Sequence, residues 1–159
     1  MAVDEEGMFT LMGRRIVITP QTVLGTMFRA AADLGGINLA KVFMRNAGYE
    51  VAADISKTMI EAYKIEGENL ITFYCETAGK RGWGFNVVEE IDGKNGIFKL
   101  DLYYSPFVTA FTEKTTTTVC DYLAGSVEGM FHAAGFKSIK IVETKCVAKG
   151  DDVCRFENK

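Results

Sequence analysis

From Val23 onward the apolar positions recur at helical spacing: Val23, Leu24, Met27, Phe28 and Ala31. Thr19-Pro20 ahead of them reads as a helix start, a capping hydroxyl followed by proline at the first helical position. Gly35-Gly36 is expected to break or bend this helix. A second helical stretch, Ile37–Ala47, is expected to end at Gly48. A third, Glu50–Ile65, places Val51, Ile55, Met59 and Ala62 on one face, and a fourth, Glu68–Gly79, does the same with Leu70, Tyr74 and Thr77. Upstream of all of these, Met8–Leu11 and Arg15–Thr19 read as a short hairpin.

Beyond Gly79 the period changes to alternation. Trp83, Phe85 and Val87 face one way, with Gly82, Gly84 and Asn86 opposite. Asp92-Gly93-Lys94-Asn95-Gly96 is a turn, and Phe98, Leu100 and Leu102 then alternate with Lys99 and Asp101, which predicts a hairpin with one buried face. A last helix, about Val119–Ala134, buries Cys120, Leu123, Ala124, Val127, Phe131 and Ala134, and one of Thr115 to Thr118 is expected to cap it. Two strands, about Phe136–Glu143 and Asp152–Glu157, follow. Helices early and strands late predict an α+β fold, a helical layer packed on an antiparallel β-sheet.

The 159 residues fit one domain spanning 1–159, with no linker, repeat or low-complexity tract. Net charge is −3 and no basic stripe is visible, which argues against nucleic acid as a partner. No apolar run reaches the ~20 residues needed to span a bilayer, so membrane insertion is not expected. The acidic start, Met1-Ala2-Val3-Asp4-Glu5-Glu6, is unlike a secretory signal, so a soluble cytoplasmic protein with reduced thiols is expected. Four cysteines in such a protein are ligands or core residues sooner than disulfides.

Three of those cysteines and one glutamate suggest a metal site. The spacing is Cys120-x22-Glu143-x2-Cys146-x7-Cys154, and the last pair straddles the turn Lys149-Gly150-Asp151-Asp152. Three thiolates and a carboxylate form a closed tetrahedral set suited to zinc. Strand parity points Glu143 to the same side as Ile139 and Ile141, and Cys154 to the same side as Phe156. A buried carboxylate needs a partner, and a metal ion supplies one; a backbone amide or an arginine is the alternative, with the cysteines as small core residues. Cys120, in the first turn of its helix, gains from the macrodipole as a thiolate. His132 lies twelve residues beyond Cys120, roughly 18 Å along a helix, and cannot share its metal; it reads as a core or pocket-lining histidine. Cys75 reads as a packed thiol. Gly125 and Gly129, four apart on one helix face, permit another backbone to approach closely, within the chain or across a dimer.

Cys120-Asp-Tyr-Leu-Ala-Gly125-Ser-Val-Glu-Gly129, followed by Val142-Glu143-Thr-Lys-Cys146-Val-Ala-Lys-Gly150-Asp151-Asp-Val-Cys154-Arg-Phe156, resembles the 4-vinyl reductase domain family. The family resembles, in turn, the sensor domains of phenol- and xylene-responsive activators, a bacteriochlorophyll biosynthesis protein and, more remotely, subunits of a vesicle-tethering complex. The resemblance implies a NO-signalling/Golgi-transport-like fold, often dimeric. It also implies a structural zinc on Cys120, Glu143, Cys146 and Cys154 beside a buried pocket for a small hydrophobic molecule. The phenol sensors grip their ligand with a His and a Trp upstream of the first zinc cysteine. Here no His precedes Cys120 and the only Trp is Trp83, so a ligand other than phenol is expected.

Candidate pocket residues are Trp83, Phe85, Tyr104, Phe107, Tyr122 and His132, with Tyr103-Tyr104-Ser105-Pro106-Phe107 placed where a lid could form. The expectation is a zinc-stabilised homodimer that binds a small hydrophobic ligand, as sensor or carrier. The chain ends five residues past Cys154, so its output is expected to pass through a protein partner. The alternatives are a tetrapyrrole vinyl-group reductase or its accessory protein, and an interaction subunit with a filled core. There is no Gly-x-Gly-x-x-Gly after a strand and no acid–base pair stands out, so a binding role is favoured over catalysis, and no catalytic residue is assigned.

Overall fold

The bend expected at Gly35-Gly36 is present, but the break expected at Gly48 is not. The structure, a computed structural model, describes residues 7–11, 14–136 and 139–159. The acidic stretch Met1–Glu6 and the Lys137–Ser138 part of the expected strand lie outside the described residues. A short hairpin, β1 (Phe9–Leu11) with β2 (Arg14–Ile16), precedes helix α1 (Val23–Tyr63). α1 is bent where Gly36 takes φ 82° and ψ 168°, values that favour glycine, and it ends at Lys64, whose N–H bonds back to the Ile60 carbonyl at 2.9 Å. The two helices read over 37–65 are therefore one, and Gly48 lies inside it.

The buried face of that long helix also differs from the expectation. Ala40, Met44, Gly48, Ala52, Ser56 and Met59 are buried, whereas Val51 is 43% exposed. The reason is the partner helix, α3 (Asp121–Ala133), which crosses α1 at backbone contact. A Cβ on Gly48 would lie 2.0 Å from the Tyr122 carbonyl oxygen, and on Gly125 1.9 Å from that of Arg45. One on Gly129 would lie 2.4 Å from the Tyr49 carbonyl oxygen. The close approach foreseen at Gly125 and Gly129 thus occurs within the chain, and small residues outrank bulky ones on the seam.

Charged groups close the rim of this crossing. Arg45 bonds Glu128 at 2.5 Å and the Ile141 carbonyl at 2.9 Å, and Glu128 accepts the Ile141 N–H at 2.8 Å. Lys41 and Arg45 both face Asp121, at 3.4 and 3.7 Å. Helix α2 (Glu68–Lys80) buries Leu70, Ile71, Tyr74, Cys75 and Ala78. Burial pushes the Cys75 thiol up to about 12, which fits a packed thiol.

The main sheet is antiparallel, in the order β3 (Phe85–Asp92), β4 (Ile97–Tyr103), β6 (Cys154–Asn158), β5 (Ile141–Lys145). Phe98, Leu100 and Leu102 are buried as expected, and Phe98 meets Phe131 of α3 edge to face at 5.4 Å. On β3 the expected parity fails. Val88 and Ile91 pack on the core across a bulge, and Phe85 is 62% exposed against the Tyr103 ring. On the other face of β4, Asp101 is paired in register with Arg155 and accepts two hydrogen bonds from it, at 2.7 and 2.6 Å. The architecture is α+β, helices packed on an antiparallel sheet, as the pattern predicts.

This packing can be tested at two places. Gly125→Ala sets a methyl against the carbonyl of Arg45 and should cost about 3 kcal/mol or more, read as a lower urea midpoint at unchanged slope. An unchanged midpoint would mean that α1 and α3 do not cross this closely. The Arg155 guanidinium, through its hydrogen bonds, holds the Asp101 carboxyl below the usual carboxylate range. Its stabilising contribution is therefore present above about pH 4 and lost as pH falls through the depressed value. Asp101→Asn should be less stable than the parent at neutral pH, with the gap narrowing in urea titrations run at about pH 3.

Candidate metal centre

Four side chains from separate parts of the C-terminal segment converge under α3. Cys120 stands immediately before α3, Glu143 lies on β5, Cys146 follows β5, and Cys154 opens β6. One ligand atom from each lies within 4.8 Å of every other. All three cysteines are fully buried, and each is a free thiol. The Cys120 and Cys154 sulfurs are 3.8 Å apart. Two thiolates each about 2.3 Å from a tetrahedral ion stand about 3.8 Å apart, so this pair is already at metal-binding separation.

Local structure explains the Cys-x7-Cys spacing. After Cys146 the chain makes one 3-10 turn, Val147–Lys149, and reverses at Gly150, whose φ of 105° suits glycine. Asp151 accepts the Cys146 N–H at 2.7 Å and so locks the loop. The Val147 N–H points at the Cys154 sulfur at 3.4 Å, which orients the second thiol. The cap expected from Thr115 to Thr118 is not made at the start of α3. Thr118 instead accepts a bond from Lys41, and the Cys120 N–H is taken by Glu143 Oε2 at 2.8 Å. An anion at a helix N-terminus is favoured by the macrodipole, and here the carboxylate does the capping.

The residues fit a cation. Glu143 Oε1 is buried with no hydrogen-bond partner, which is costly for a carboxylate unless something positive sits beside it. Burial pushes the Glu143 carboxyl and the Cys120 thiol well up, while hydrogen bonds from Cys120 and then Cys154 draw the Cys146 thiol down. The cluster without an ion must therefore share out protons among four acids. A thiolate-preferring divalent ion would replace those protons and give Oε1 a partner.

The six expected pocket residues separate into two groups. Trp83 stacks on Tyr122 with centroids 5.6 Å apart and planes at 15°. Phe107 meets Trp83 at 6.0 Å and Tyr122 at 5.6 Å. Tyr122 is two residues past Cys120, so this ring cluster borders the metal centre. The structure does not bring the other three to it. Phe85 packs against Tyr103 on the exposed face of β3. Tyr104 is 84% exposed, at φ 57°. His132 is neither core nor pocket-lining: it is exposed at the last turn of α3, its Nδ1 bonded to the Tyr49 hydroxyl. Ser105 is a site residue that sequence reasoning missed. It is 1% exposed with its hydroxyl 3.4 Å from the Cys120 sulfur. The only signal was its place in the segment 103–107, read there as a lid.

Fold and site together define a small α+β domain whose C-terminal strands and last helix are built around a four-residue metal-type cluster. The family model of the 4-vinyl reductase domain matches residues 102–159 and bears out the resemblance read from the motifs. An uncharacterised protein, MJ0150 of Methanocaldococcus jannaschii, is 28% identical over 108 residues, or 68% of this chain. The chain spans 60% of that relative's length. The phenol-responsive sensory domain of the transcription activator PoxR, solved with phenol, superposes with a TM-score of 0.80 at 19% identity. That match covers 98% of this chain and 81% of the sensory domain. A vinyl-4-reductase family protein from Methanocaldococcus jannaschii gives 0.52 at 22% identity, covering 73% of this chain and 66% of that one. A trafficking protein particle complex subunit 3 from Naegleria fowleri, covalently bound to palmitic acid, gives 0.64 at 12%, covering 87% and 95%. At these identities the solved structures share the fold. No helix among the described residues is long and apolar enough to cross a membrane.

Cys146→Ser removes one soft ligand from the centre. The variant should carry less than one metal ion per chain by elemental analysis and melt below the parent, and added metal should no longer raise its melting temperature. A metal-free variant as stable as the parent would remove the structural role.

Proposed function

We propose that this chain is a zinc-stabilised module that binds a small hydrophobic molecule beside the metal, as a homodimer that reports through a protein partner. The observation that carries the reading is the buried quartet Cys120, Glu143, Cys146 and Cys154, with a ring cluster starting two residues away. Three thiolates and one carboxylate fill a tetrahedral shell, so the ion has no open position and its role is structural. It would fix the start of α3 to β5 and β6. The chain's own residues would bind the ligand: Trp83, Phe107 and Tyr122 offer apolar faces, and the Tyr122 hydroxyl offers one polar contact to set orientation.

Support for ligand binding comes from the likeness to the PoxR sensory domain, which was solved with phenol and covers nearly the whole of this chain. Output would follow from geometry. A ligand parting Trp83 and Phe107 from Tyr122 would push on α3, which the metal holds at one end and α1 along its length. The exposed apolar face of α1, with Leu34, Leu39, Val42 and Phe43, supports a second copy docking there. It includes a groove of about 340 Å³ lined by Met27, Ala30, Ala31, Leu34, Leu39 and Phe43.

One observation favours a different reading, an interaction subunit with a filled core: the three rings already touch one another. The two readings part in a single experiment on the purified protein. Native mass spectrometry should give a dimer with one zinc per chain, and toluene should change the emission of Trp83, the sole tryptophan, in a saturable way. Emission that responds to toluene no more than free tryptophan does would sink the ligand-binding reading and favour the filled core.

A further inference from the structure

Each sulfur of the metal quartet has a surrounding, and one of these surroundings is a side chain that the ligand set does not include. The Cys154 sulfur faces the backbone N–H of Val147 at 3.4 Å. The Cys120 sulfur faces the hydroxyl of Ser105 at the same distance. Ser105 is fifteen residues away in sequence, on the segment between β4 and α3, and it is almost wholly buried. A buried hydroxyl must place both its proton and its lone pairs.

The lone pair is accounted for. The Phe107 N–H donates to Ser105 Oγ at 3.3 Å, a turn closed by the serine on its own chain. The hydroxyl proton is then left to point elsewhere, and the Cys120 sulfur is the acceptor within reach. Once Cys120 binds a metal it is a thiolate with no proton to give, so the direction is fixed: Ser105 donates and Cys120 accepts. The residue before it supports the arrangement. Tyr104 sits at φ 57°, unusual for a non-glycine, and its side chain is thrown into solvent while Ser105 turns inward.

We infer that Ser105 is a positioning residue for the metal, donating its hydroxyl proton to the Cys120 thiolate and tying the metal centre to the loop that carries Phe107. This rests on the metal-binding reading above and adds a residue to it. A hydrogen bond to a thiolate draws off electron density, which moderates the charge three sulfurs and a carboxylate place on one ion. It also ties the ring cluster to the centre, since the same oxygen that donates to the sulfur accepts the N–H of Phe107.

Cobalt(II) alone, titrated into the metal-free full chain, tests the inference, because its sulfur-to-metal charge-transfer band reports electron density on the thiolates. Ser105→Ala should still bind one cobalt per chain, with the band moved to longer wavelength and affinity lowered about tenfold in a chelator competition. Ser105→Thr, which keeps the hydroxyl, should restore the band position; should the added methyl prevent folding, the alanine comparison decides alone. A band and affinity identical in parent and Ser105→Ala, with cobalt bound by both, overturns the role of Ser105 and leaves the metal site standing. A parent chain that binds no cobalt overturns the metal reading itself and this inference with it.

Discussion

The crossing of α1 and α3 at backbone contact is the constraint on which the rest depends. Gly48, Gly125 and Gly129 leave no side chain between the two helices, so carbonyl oxygens of one lie where a Cβ of the other would stand. Helices this close cannot slide or rotate without collision. The position of Cys120 before α3 is therefore set by α1, although α1 contributes no ligand to the metal cluster. Arg45 extends the same constraint to the sheet, because it grips Glu128 on α3 and the Ile141 carbonyl at the start of β5. Glu143 and Cys146 follow on that strand and just beyond it.

A second constraint is electrostatic. Bringing three thiols and a carboxyl into a water-poor space raises the cost of every charge there, and Glu143 is only half satisfied by the Cys120 N–H. The cations Lys41 and Arg45 do not relieve this cost, because they face Asp121 instead. An ion bound by the quartet would resolve the imbalance, and the neighbouring N–H and hydroxyl donors would temper the sulfurs. Structure and charge thus converge on one place, where the strands, the last helix and the Trp83 ring cluster meet.

Much of this is legible in the chain, for reasons that can be named. The metal quartet can be read because ligand chemistry is confined to a few residue types and because Gly150-Asp151 marks the turn between the last two cysteines. The hairpin of β3 and β4 can be read from the clean alternation of Phe98, Leu100 and Leu102. The failures also have causes. Gly48 looks like a helix end when only local propensity is weighed, yet it is a crossing point, where a missing side chain serves packing rather than termination. Apolar periodicity on α1 points to its bulkier residues, whereas a close crossing selects the smallest. Aromatic character points Phe85 and Tyr104 toward a pocket, but a bulge and a left-handed backbone turn them outward.

What the sequence determined by itself is therefore the local and the chemical: helix before strand, the antiparallel hairpins, the ligand types and the family motifs of residues 120–156. These depend on near neighbours and on what each side chain can bind. Tertiary structure alone decided which faces meet, that one long bent helix replaces two, and that His132 stands apart from the rings of Trp83, Phe107 and Tyr122. It also placed the Ser105 hydroxyl against the Cys120 sulfur. Such contacts join residues far apart in the chain, and their distances are fixed by how closely two backbones can approach, which no local pattern records.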